Sequence, residues 1–362
     1  MMAFETIQEI ILKAYQSMPP NVWEYVSGGT ESETTLLRNR HSLDSLGFRP
    51  RVLRDVSRID PSTTFLGSRL RIPVFLAPVG SLSLIHAKGA HLALASASRF
   101  GTLMFLSSVN GTMEVEEGAK LAGENLVFQL YVRGDDSWVE EHLERLAGLK
   151  VSGFCLTVDI AYYSRRERDL FNRYRPPGRE AGEREGFRHQ AALTWDFVDR
   201  VRERLQVPLV IKGIATAEDA GLAIEHGADV VYVSNHGGRQ LDHCLGSIGA
   251  LPEVVRAVDG RAEVVVDGGF VRGTDVLKAI ALGAKAVGLG KLQVWALAAG
   301  GEKALTRVLE ILEEEISVSM GLLGIRKLDE LTPDFVTQVL PVRNPGPLSP
   351  FPSIEKIIQD LI

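Results

Sequence analysis

Short apolar runs alternate with amphipathic stretches along most of the chain, from Pro73 onward. Eight of the runs are rich in strand-forming residues and have the length of buried strands. They are Val74–Ala77, Leu103–Leu106, Leu126–Tyr131, Phe154–Val158, Leu209–Lys212, Val230–Val233, Val264–Asp267 and Ala286–Leu289. Stretches between them have the apolar spacing of helices, and examples are Gly89–Arg99, Ser137–Gly148, Ala217–His226 and Gly273–Leu282.

This alternation favours a parallel sheet that is covered by helices. Eight near-regular units predict a closed (β/α)8 TIM barrel of the α/β class, and an open doubly wound sheet is the alternative. We therefore expect a single domain over residues 1–362. Within it, residues 1–72 form a pre-barrel segment of helices and extended chain, and residues 73–362 form the barrel.

Residues 160–194 form an oversized link after the fourth predicted strand, and the link is rich in Arg, Glu, Gly and Pro. Links of this length are uncommon in compact domains unless they cover a site or lack order. We interpret this link as a mobile lid. For Pro176–Glu185, a solvated excursion without a role is the alternative interpretation.

The composition is that of an ordinary globular protein, with 45% hydrophobic and 24% charged residues. The net charge of −6 argues against nucleic acid as the partner. No apolar run is long enough to span a membrane, and Met1–Tyr15 lacks the pattern of a signal peptide. We therefore expect a cytoplasmic protein with no membrane partner. The two cysteines, Cys155 and Cys244, have neither a disulfide framework nor a metal-binding spacing, so we expect no metal.

A polar residue or a glycine follows every predicted strand. Because TIM barrels place their active sites at the C-terminal ends of the strands, these residues are expected to meet on one rim. In strand order they are Pro78–Gly80, Ser107 and Ser108, Gln129 and Tyr131, Thr157 and Asp159, Lys212, Ser234 and His236, Asp267–Gly269, and Gly290 with Lys291.

One part of this rim suits a phosphorylated heterocycle. The glycine-rich turns at 267–273 and 288–291 follow the last two strands, where backbone N–H groups and a helix N-terminus commonly hold phosphate. Four side chains nearby could form hydrogen bonds with a planar ring, namely Ser107, Gln129, Thr157 and Lys212. Flavin mononucleotide (FMN) would use both parts.

The other part of the rim suits an acid with a proton to lose. His236 lies three residues before Arg239, and glycines separate them at the end of a strand. A carboxylate beside the imidazole would orient it and stabilise its protonated form, and Asp159 is the candidate. Arg239 and Arg166 could clamp a carboxylate with two hydrogen bonds each. Arg165 and Arg168 are interpreted as members of a solvated charge cluster.

Several motifs of this chain match those of one family. The most specific is Ser234–Gln240, which reads Ser-Asn-His-Gly-Gly-Arg-Gln. Supporting motifs are Phe128–Tyr131, Leu156–Asp159, Arg165–Glu167, Lys212–Gly213 and Asp267–Gly269. With these motifs, the chain resembles the FMN-dependent 2-hydroxy acid oxidases and dehydrogenases, the group of glycolate oxidase, lactate oxidase and mandelate dehydrogenase. The resemblance extends from Trp23 to Gly324.

The resemblance implies oxidation of a 2-hydroxy acid to a 2-keto acid, with FMN taking two electrons and passing them to oxygen or another acceptor. It implies that His236 is the base, with Asp159 as its partner, and that family members form homo-tetramers or octamers. The substrate-binding residues that it implies are Tyr25, Tyr131, Arg166 and Arg239. The FMN-binding residues that we expect are Pro78, Val79, Gly80, Ser107, Gln129, Thr157, Lys212, Ser234, Asp267, Gly268, Gly269, Arg272, Gly290 and Lys291.

The chain departs from the family pattern at both ends of this site. The family's phosphate-binding arginine falls on Val271 and is followed by Arg272, and Lys291 replaces an arginine after the last strand. Gly80 and Val109 replace bulkier residues of some members. The pocket is therefore expected to be roomier, with an aryl or branched substrate bulkier than glycolate.

Two other functions remain as alternatives. One is a non-redox FMN-binding or phosphate-binding barrel enzyme, which would use the glycine-rich turns but has no need for His236, Arg239 and Asp159 together. The other is a catalytically lapsed barrel that serves as an interaction protein, an interpretation favoured by Val271 and Lys291.

Overall fold

Eight parallel strands close into a barrel in a computed structural model that describes residues 4–176 and 184–359. The strands are β1 (Val74–Leu76), β2 (Met104–Ser107), β3 (Leu126–Leu130), β4 (Gly153–Thr157), β5 (Leu209–Ile214), β6 (Val230–Val233), β7 (Glu263–Asp267) and β8 (Ala286–Leu289). Each strand pairs with the next in the sequence, and β8 pairs with β1. The predicted (β/α)8 barrel is confirmed, and the open doubly wound sheet is excluded.

Helices cover the outside of the barrel and fill the connections. Their bounds are Ile7–Ser17, Pro20–Ser27, Thr34–Asp44, Gly89–Phe100, Val115–Ala122, Asp136–Leu146, Glu167–Phe171, Arg184–Ala191, Trp195–Arg204, Ala217–Glu225, Ser247–Val258, Gly273–Ala281, Lys291–Leu323 and Pro352–Gln359. The longest is kinked at Gly300 and Gly301, whose backbone torsions are not helical. Within residues 4–176 and 184–359, no helix is both long and apolar enough to cross a membrane.

The interior of the barrel is a packed core. Aromatic side chains of neighbouring strands fill it, with Phe75 and Phe105 at a centroid distance of 4.8 Å. A hairpin of strands Thr63–Phe65 and Ser68–Leu70 adds Phe65, which lies 5.6 Å from Phe75 and is fully buried. Because the interior is filled, ligands can enter only from a rim.

The pre-barrel segment packs against the C-terminal rim. Helix Thr34–Asp44 carries Asn39, which exchanges side-chain hydrogen bonds of 2.8 Å and 3.0 Å with Asn235 after β6. Just after the helix, a short strand, Leu46–Phe48, pairs with Val336–Gln338 near the other end of the chain. The segment therefore holds the loop after β6 in place.

The link predicted as a lid contains two helices, Glu167–Phe171 and Arg184–Ala191, in its described parts. Residues 177–183, most of the predicted solvated excursion at Pro176–Glu185, lie outside the described residues. The second helix is fastened to the rim by Gln190. Its Oε1 accepts from Val132 N at 2.7 Å, and its Nε2 donates to Thr157 O at 2.7 Å. This buried amide therefore ties the link to the ends of both β3 and β4.

Candidate active site

A cavity of about 890 Å³ opens at the C-terminal rim of the barrel. Its size is near the upper end of the range for small-molecule sites, about 300–1,000 Å³. Loops after the strands line it, and Tyr25, Leu36 and Arg40 of the pre-barrel helices complete its wall. The rim is thus the place where most of the predicted site residues meet.

His236 lies at this rim between a carboxylate and a phenol. Its Nδ1 is 2.9 Å from Asp159 Oδ1, and its Nε2 is 3.2 Å from the hydroxyl of Tyr131. Since the carboxylate can only accept a hydrogen bond from Nδ1–H, the neutral tautomer has Nε2 as the acceptor. His236 also faces the cavity, so Nε2 has the position of a general base.

Burial and nearby charges keep His236 neutral and Asp159 ionised, which is the form of the pair that can take up a proton. Burial lowers the pKa of His236 below its ordinary 6.5, with the nearby charge of Lys212 acting in the same direction and Asp159 opposing both. Burial by itself would raise the pKa of Asp159, but His236 and Lys212 more than offset this and lower it. Burial raises the pKa of Tyr131 to about 12. At neutral pH the three groups are therefore neutral imidazole, carboxylate and phenol.

The turn that carries His236 is held in an unusual backbone conformation. His236 has φ of 57°, and Gly237 and Gly238 follow with φ of 65° and 77°. Left-handed torsions are costly for residues other than glycine and persist only where the surroundings fix them. A Cβ at Gly238 would lie 2.5 Å from Leu36 N, so the pre-barrel helix leaves room for glycine only.

Two arginines and a tyrosine form the cationic wall of the cavity. Arg239 Nη1 donates to the carbonyl oxygens of Tyr25 and Gly28 at 2.6 Å and 3.0 Å. Its guanidinium lies 4.8 Å from the centroid of the Tyr25 ring, and that of Arg166 lies 5.9 Å from it. Arg166 is only 5% exposed, and burial lowers its pKa, with Tyr25 and Asp169 opposing. The wall is therefore a fixed cationic surface suited to a carboxylate.

Lys212, near the end of β5, belongs to a buried polar network. Its Nζ donates to Ser234 Oγ at 2.9 Å, and Ser234 Oγ donates to Asp267 Oδ1 at 2.7 Å. Burial opposes the charge of Lys212, but Asp267 and Asp159 more than offset this and raise its pKa. Lys212 also lines the cavity, so a permanent positive charge faces the ligand space.

Gln129 and Thr157 fit the polar edge of a planar heterocycle. Both residues are fully buried. Within the described part of the chain, neither the amide atoms of Gln129 nor Thr157 Oγ1 has a hydrogen-bond partner. Buried polar groups are otherwise almost always paired. The flavin ring, with its carbonyl oxygens and ring nitrogens, has the complementary groups, so these residues fit FMN.

The glycine-rich turns also fit the cofactor's phosphate. Gly268 and Gly269 have φ of 107° and 85°, and a Cβ at Gly290 would meet no heavy atom within 4 Å. Lys291 begins the helix after β8, and its Nζ donates to Gly237 O at 3.1 Å. Burial lowers its pKa to about 7, with Arg239 adding to the effect. The part of the cavity where we expect the phosphate therefore offers backbone groups and a lysine whose charge is sensitive to pH.

Among the other expected FMN ligands, Pro78, Val79 and Gly80 line the cavity after β1. Ser107 ends β2, is buried and accepts from Val109 N at 3.4 Å. The side chain of Arg272, another expected FMN ligand, forms an ion pair in which Nη2 lies 2.9 Å from Glu315 Oε1 of the helix after β8. Arg272 is the N-cap of helix Gly273–Ala281, and its contact with the phosphate stays a prediction.

Comparisons with known proteins show the family of this chain. The family model described as FMN-dependent dehydrogenase matches residues 14–338. The chain is 38% identical to glycolate oxidase of Spinacia oleracea over 351 residues, 91% of this chain and 95% of that protein. It is also 38% identical to L-lactate oxidase of Nostoc sp. over 339 residues, 87% of this chain and 93% of that protein. The chain belongs to the FMN-dependent dehydrogenase family.

Solved structures lead to the same family. A crystal structure of mandelate oxidase with benzoyl-formic acid superposes with a TM-score of 0.85 at 33% identity, covering 94% of this chain and all of that one. FMN is therefore the cofactor, and the protein is an oxidoreductase that acts on the CH–OH group of a 2-hydroxy acid. The match supports neither the non-redox barrel enzyme nor the lapsed interaction protein.

Proposed function

We propose that this enzyme oxidises a 2-hydroxy acid bulkier than glycolate, with His236 as the base. The observation that carries the proposal is the position of the imidazole. His236 lines the cavity, Asp159 holds its Nδ1 at 2.9 Å, and Nε2 is the ring atom left to accept a proton. A base needs an accessible acceptor atom and a group that stabilises its protonated form, and this pair provides both.

His236 Nε2 accepts one proton from the CH–OH group of the substrate, and Asp159 stabilises the imidazolium that results. Bound FMN would supply the redox chemistry as the acceptor of the two electrons and of the second proton that the CH–OH group loses. Tyr131, whose hydroxyl is 3.2 Å from Nε2, donates a hydrogen bond to a substrate oxygen at the same place. Lys212 adds positive charge at the cofactor, where negative charge increases during the reaction.

Arg166, Arg239 and Tyr25 bind the substrate's carboxylate in this proposal. Arg239 is held by backbone carbonyls on one side, and Arg166 is buried beside the same tyrosine ring. Side chains that are fixed before binding lose little entropy when the ligand arrives. The carboxylate would thus be held with its α-carbon close to His236.

The size of the substrate is inferred from Gly80 and Val109. Both residues line the cavity, and a Cβ at Gly80 would lie only 2.9 Å from Val109 Cγ2. Val109 therefore already occupies part of the space beside Gly80, and the room for a bulkier substrate comes from the small size of the two side chains together. The similarity to mandelate oxidase structures, whose ligands include (S)-4-hydroxymandelic acid, supports an aryl group as the occupant.

The names of the relatives, which are oxidases, support oxygen as the electron acceptor. The test is anaerobic mixing of the purified yellow protein with a panel of aryl, branched and short 2-hydroxy acids, followed by admission of oxygen. Loss of flavin absorbance is expected with every good substrate, fastest with an aryl or branched acid, and oxygen restores it. Bleaching by glycolate alone would overturn the substrate size, and bleaching by none would overturn the function.

A further inference from the structure

Tyr232 on β6 is a buried polar residue without a part in the chemistry described above. Its ring stands inside the barrel, nearly perpendicular to the rings of Phe75 and Phe105 at centroid distances of 5.5 Å and 5.8 Å. The side chain is fully buried. A hydroxyl in such a place is costly unless it is hydrogen-bonded, so its partner indicates its role.

The partner of this hydroxyl is the counter-ion of Lys212. The hydroxyl donates to Asp267 Oδ2 at 3.0 Å, and the same oxygen lies 3.8 Å from Lys212 Nζ. Lys212 Nζ also lies 5.3 Å from the centroid of the Tyr232 ring. Tyr232 therefore contacts both the ammonium group and the carboxylate that would neutralise it.

Gly288 on β8 makes the space for this hydroxyl. A Cβ at Gly288 would lie 2.4 Å from the hydroxyl oxygen of Tyr232 and 3.0 Å from Phe75 Cε2. Gly288 pairs with Asp267 in the sheet and is not among the residues with positive φ. Glycine is therefore needed at position 288 because a side chain would not fit, and not because of the backbone torsion.

We propose that Tyr232 is a positioning residue, which keeps the ammonium group of Lys212 directed at the cofactor and so raises the reduction potential of bound FMN. The proposal rests on the proposed function in placing the flavin ring against Lys212. By donating to Asp267 Oδ2, the hydroxyl satisfies the oxygen that would otherwise draw Lys212 Nζ into direct contact. At 3.8 Å that contact is longer than a hydrogen bond, and Nζ is bonded to Ser234 instead.

The position of the Lys212 ammonium group affects the reduction potential of bound FMN through its positive charge. A positive group beside the flavin favours its reduced form, which carries more negative charge, and the effect falls with distance. Burial raises the pKa of Tyr232 well above its usual value, and Asp267 adds to this, so the hydroxyl stays a neutral donor. Its loss would let Lys212 move toward Asp267 and away from the cofactor.

Tyr232→Phe tests the proposal because it removes the hydroxyl and keeps the ring. The midpoint potential of FMN in the purified holoenzyme is measured by anaerobic equilibration with reference dyes. A more negative potential is expected, equivalent to a loss of about fivefold in affinity for reduced relative to oxidised FMN. Phe105→Leu is the matched control, since it alters the packing of the same ring without touching Asp267, and its potential is expected to stay unchanged.

Gly288→Ala provides a second, independent variant. Its new methyl group would push the hydroxyl off Asp267, so the potential is expected to shift in the same direction and the melting temperature to fall. In the Tyr232→Phe background the methyl group no longer meets the hydroxyl. The same glycine substitution is therefore expected to lower the melting temperature less there than in the wild type.

The outcomes separate this proposal from the proposed function. A potential that is unchanged or more positive in both Tyr232→Phe and Gly288→Ala would overturn the role of Tyr232. If the wild-type protein holds FMN but no 2-hydroxy acid reduces the flavin, the proposed function is wrong. The reduction potentials of the wild type and the variants could still be measured in that case, so the role of Tyr232 would be tested separately.

Discussion

His236 Nδ1 and Asp159 Oδ1 lie 2.9 Å apart, although β5 separates the strands that carry them. This hydrogen bond fixes the tautomer in which Nε2 can accept a proton. We predict that Asp159→Asn lowers the rate of flavin reduction by about 10²- to 10⁴-fold, because an amide can stabilise the wrong tautomer and no longer offsets the imidazolium charge. Stopped-flow reduction at saturating substrate measures the rate, and an unchanged flavin content is the control. A loss below about threefold would contradict the role of Asp159.

The pH dependence of kcat/KM should report the state of His236. Burial lowers its pKa below 6.5, and the base must be neutral, so activity is expected to fall as the pH drops through that lowered pKa. Asp159 opposes the lowering, so Asp159→Asn should move this acidic limb to still lower pH. Steady-state profiles of both proteins measure the shift. A limb that moves to higher pH in the variant would contradict this assignment.

The adjacent residues Arg165 and Arg166 differ in burial, so a substitution of Arg165 is a control for the same substitution of Arg166. Arg166 is only 5% exposed at the cavity wall, whereas the side chain of Arg165 is 67% exposed and pairs with Glu167. Arg166→Met is expected to lower kcat/KM by about 30-fold or more, because a buried partner of the carboxylate is lost. Arg165→Met should change it by less than about threefold. Similar losses in the two variants would show that Arg166 has no special contact with the substrate.

Gly80 and Val109 together limit the volume of the cavity that is available to the substrate. A Cβ at Gly80 would lie 2.9 Å from Val109 Cγ2, so Gly80→Ala should narrow the cavity. We expect kcat/KM for an aryl 2-hydroxy acid to fall more than kcat/KM for glycolate. Adding Val109→Ala should restore part of the loss by removing the opposing methyl groups. Equal losses for both substrates, without any rescue, would be inconsistent with a role in substrate size.

The barrel and much of its rim could be predicted because their patterns are local. Strands buried on both faces are short apolar runs, and each predicted strand differs from the observed one by at most two residues at either end. The residues that follow parallel strands meet at one rim, so the pairing of His236 with Asp159 could be expected from two separate strand ends.

Other features depend on contacts that no local pattern indicates. Gln190 lies in an amphipathic helix, and its hydrogen bonds reach backbone atoms 58 and 33 residues away. In the sequence, Tyr232 has the pattern of an ordinary residue of an apolar strand, because its partner Asp267 lies on the next strand. The ion pair of Arg272 with Glu315 also joins residues of two different helices, so no local pattern in the sequence indicates it.

The most direct test of His236 as the base is a single-turnover comparison of the wild type with His236→Gln. Both proteins are loaded with FMN to the same content and mixed anaerobically with an aryl 2-hydroxy acid, and flavin absorbance is followed in the stopped flow. We predict rapid bleaching of the wild type and a rate at least about 10³-fold lower in the variant, with FMN still bound. A variant that is reduced within about tenfold of the wild-type rate would contradict the assignment of His236 as the base.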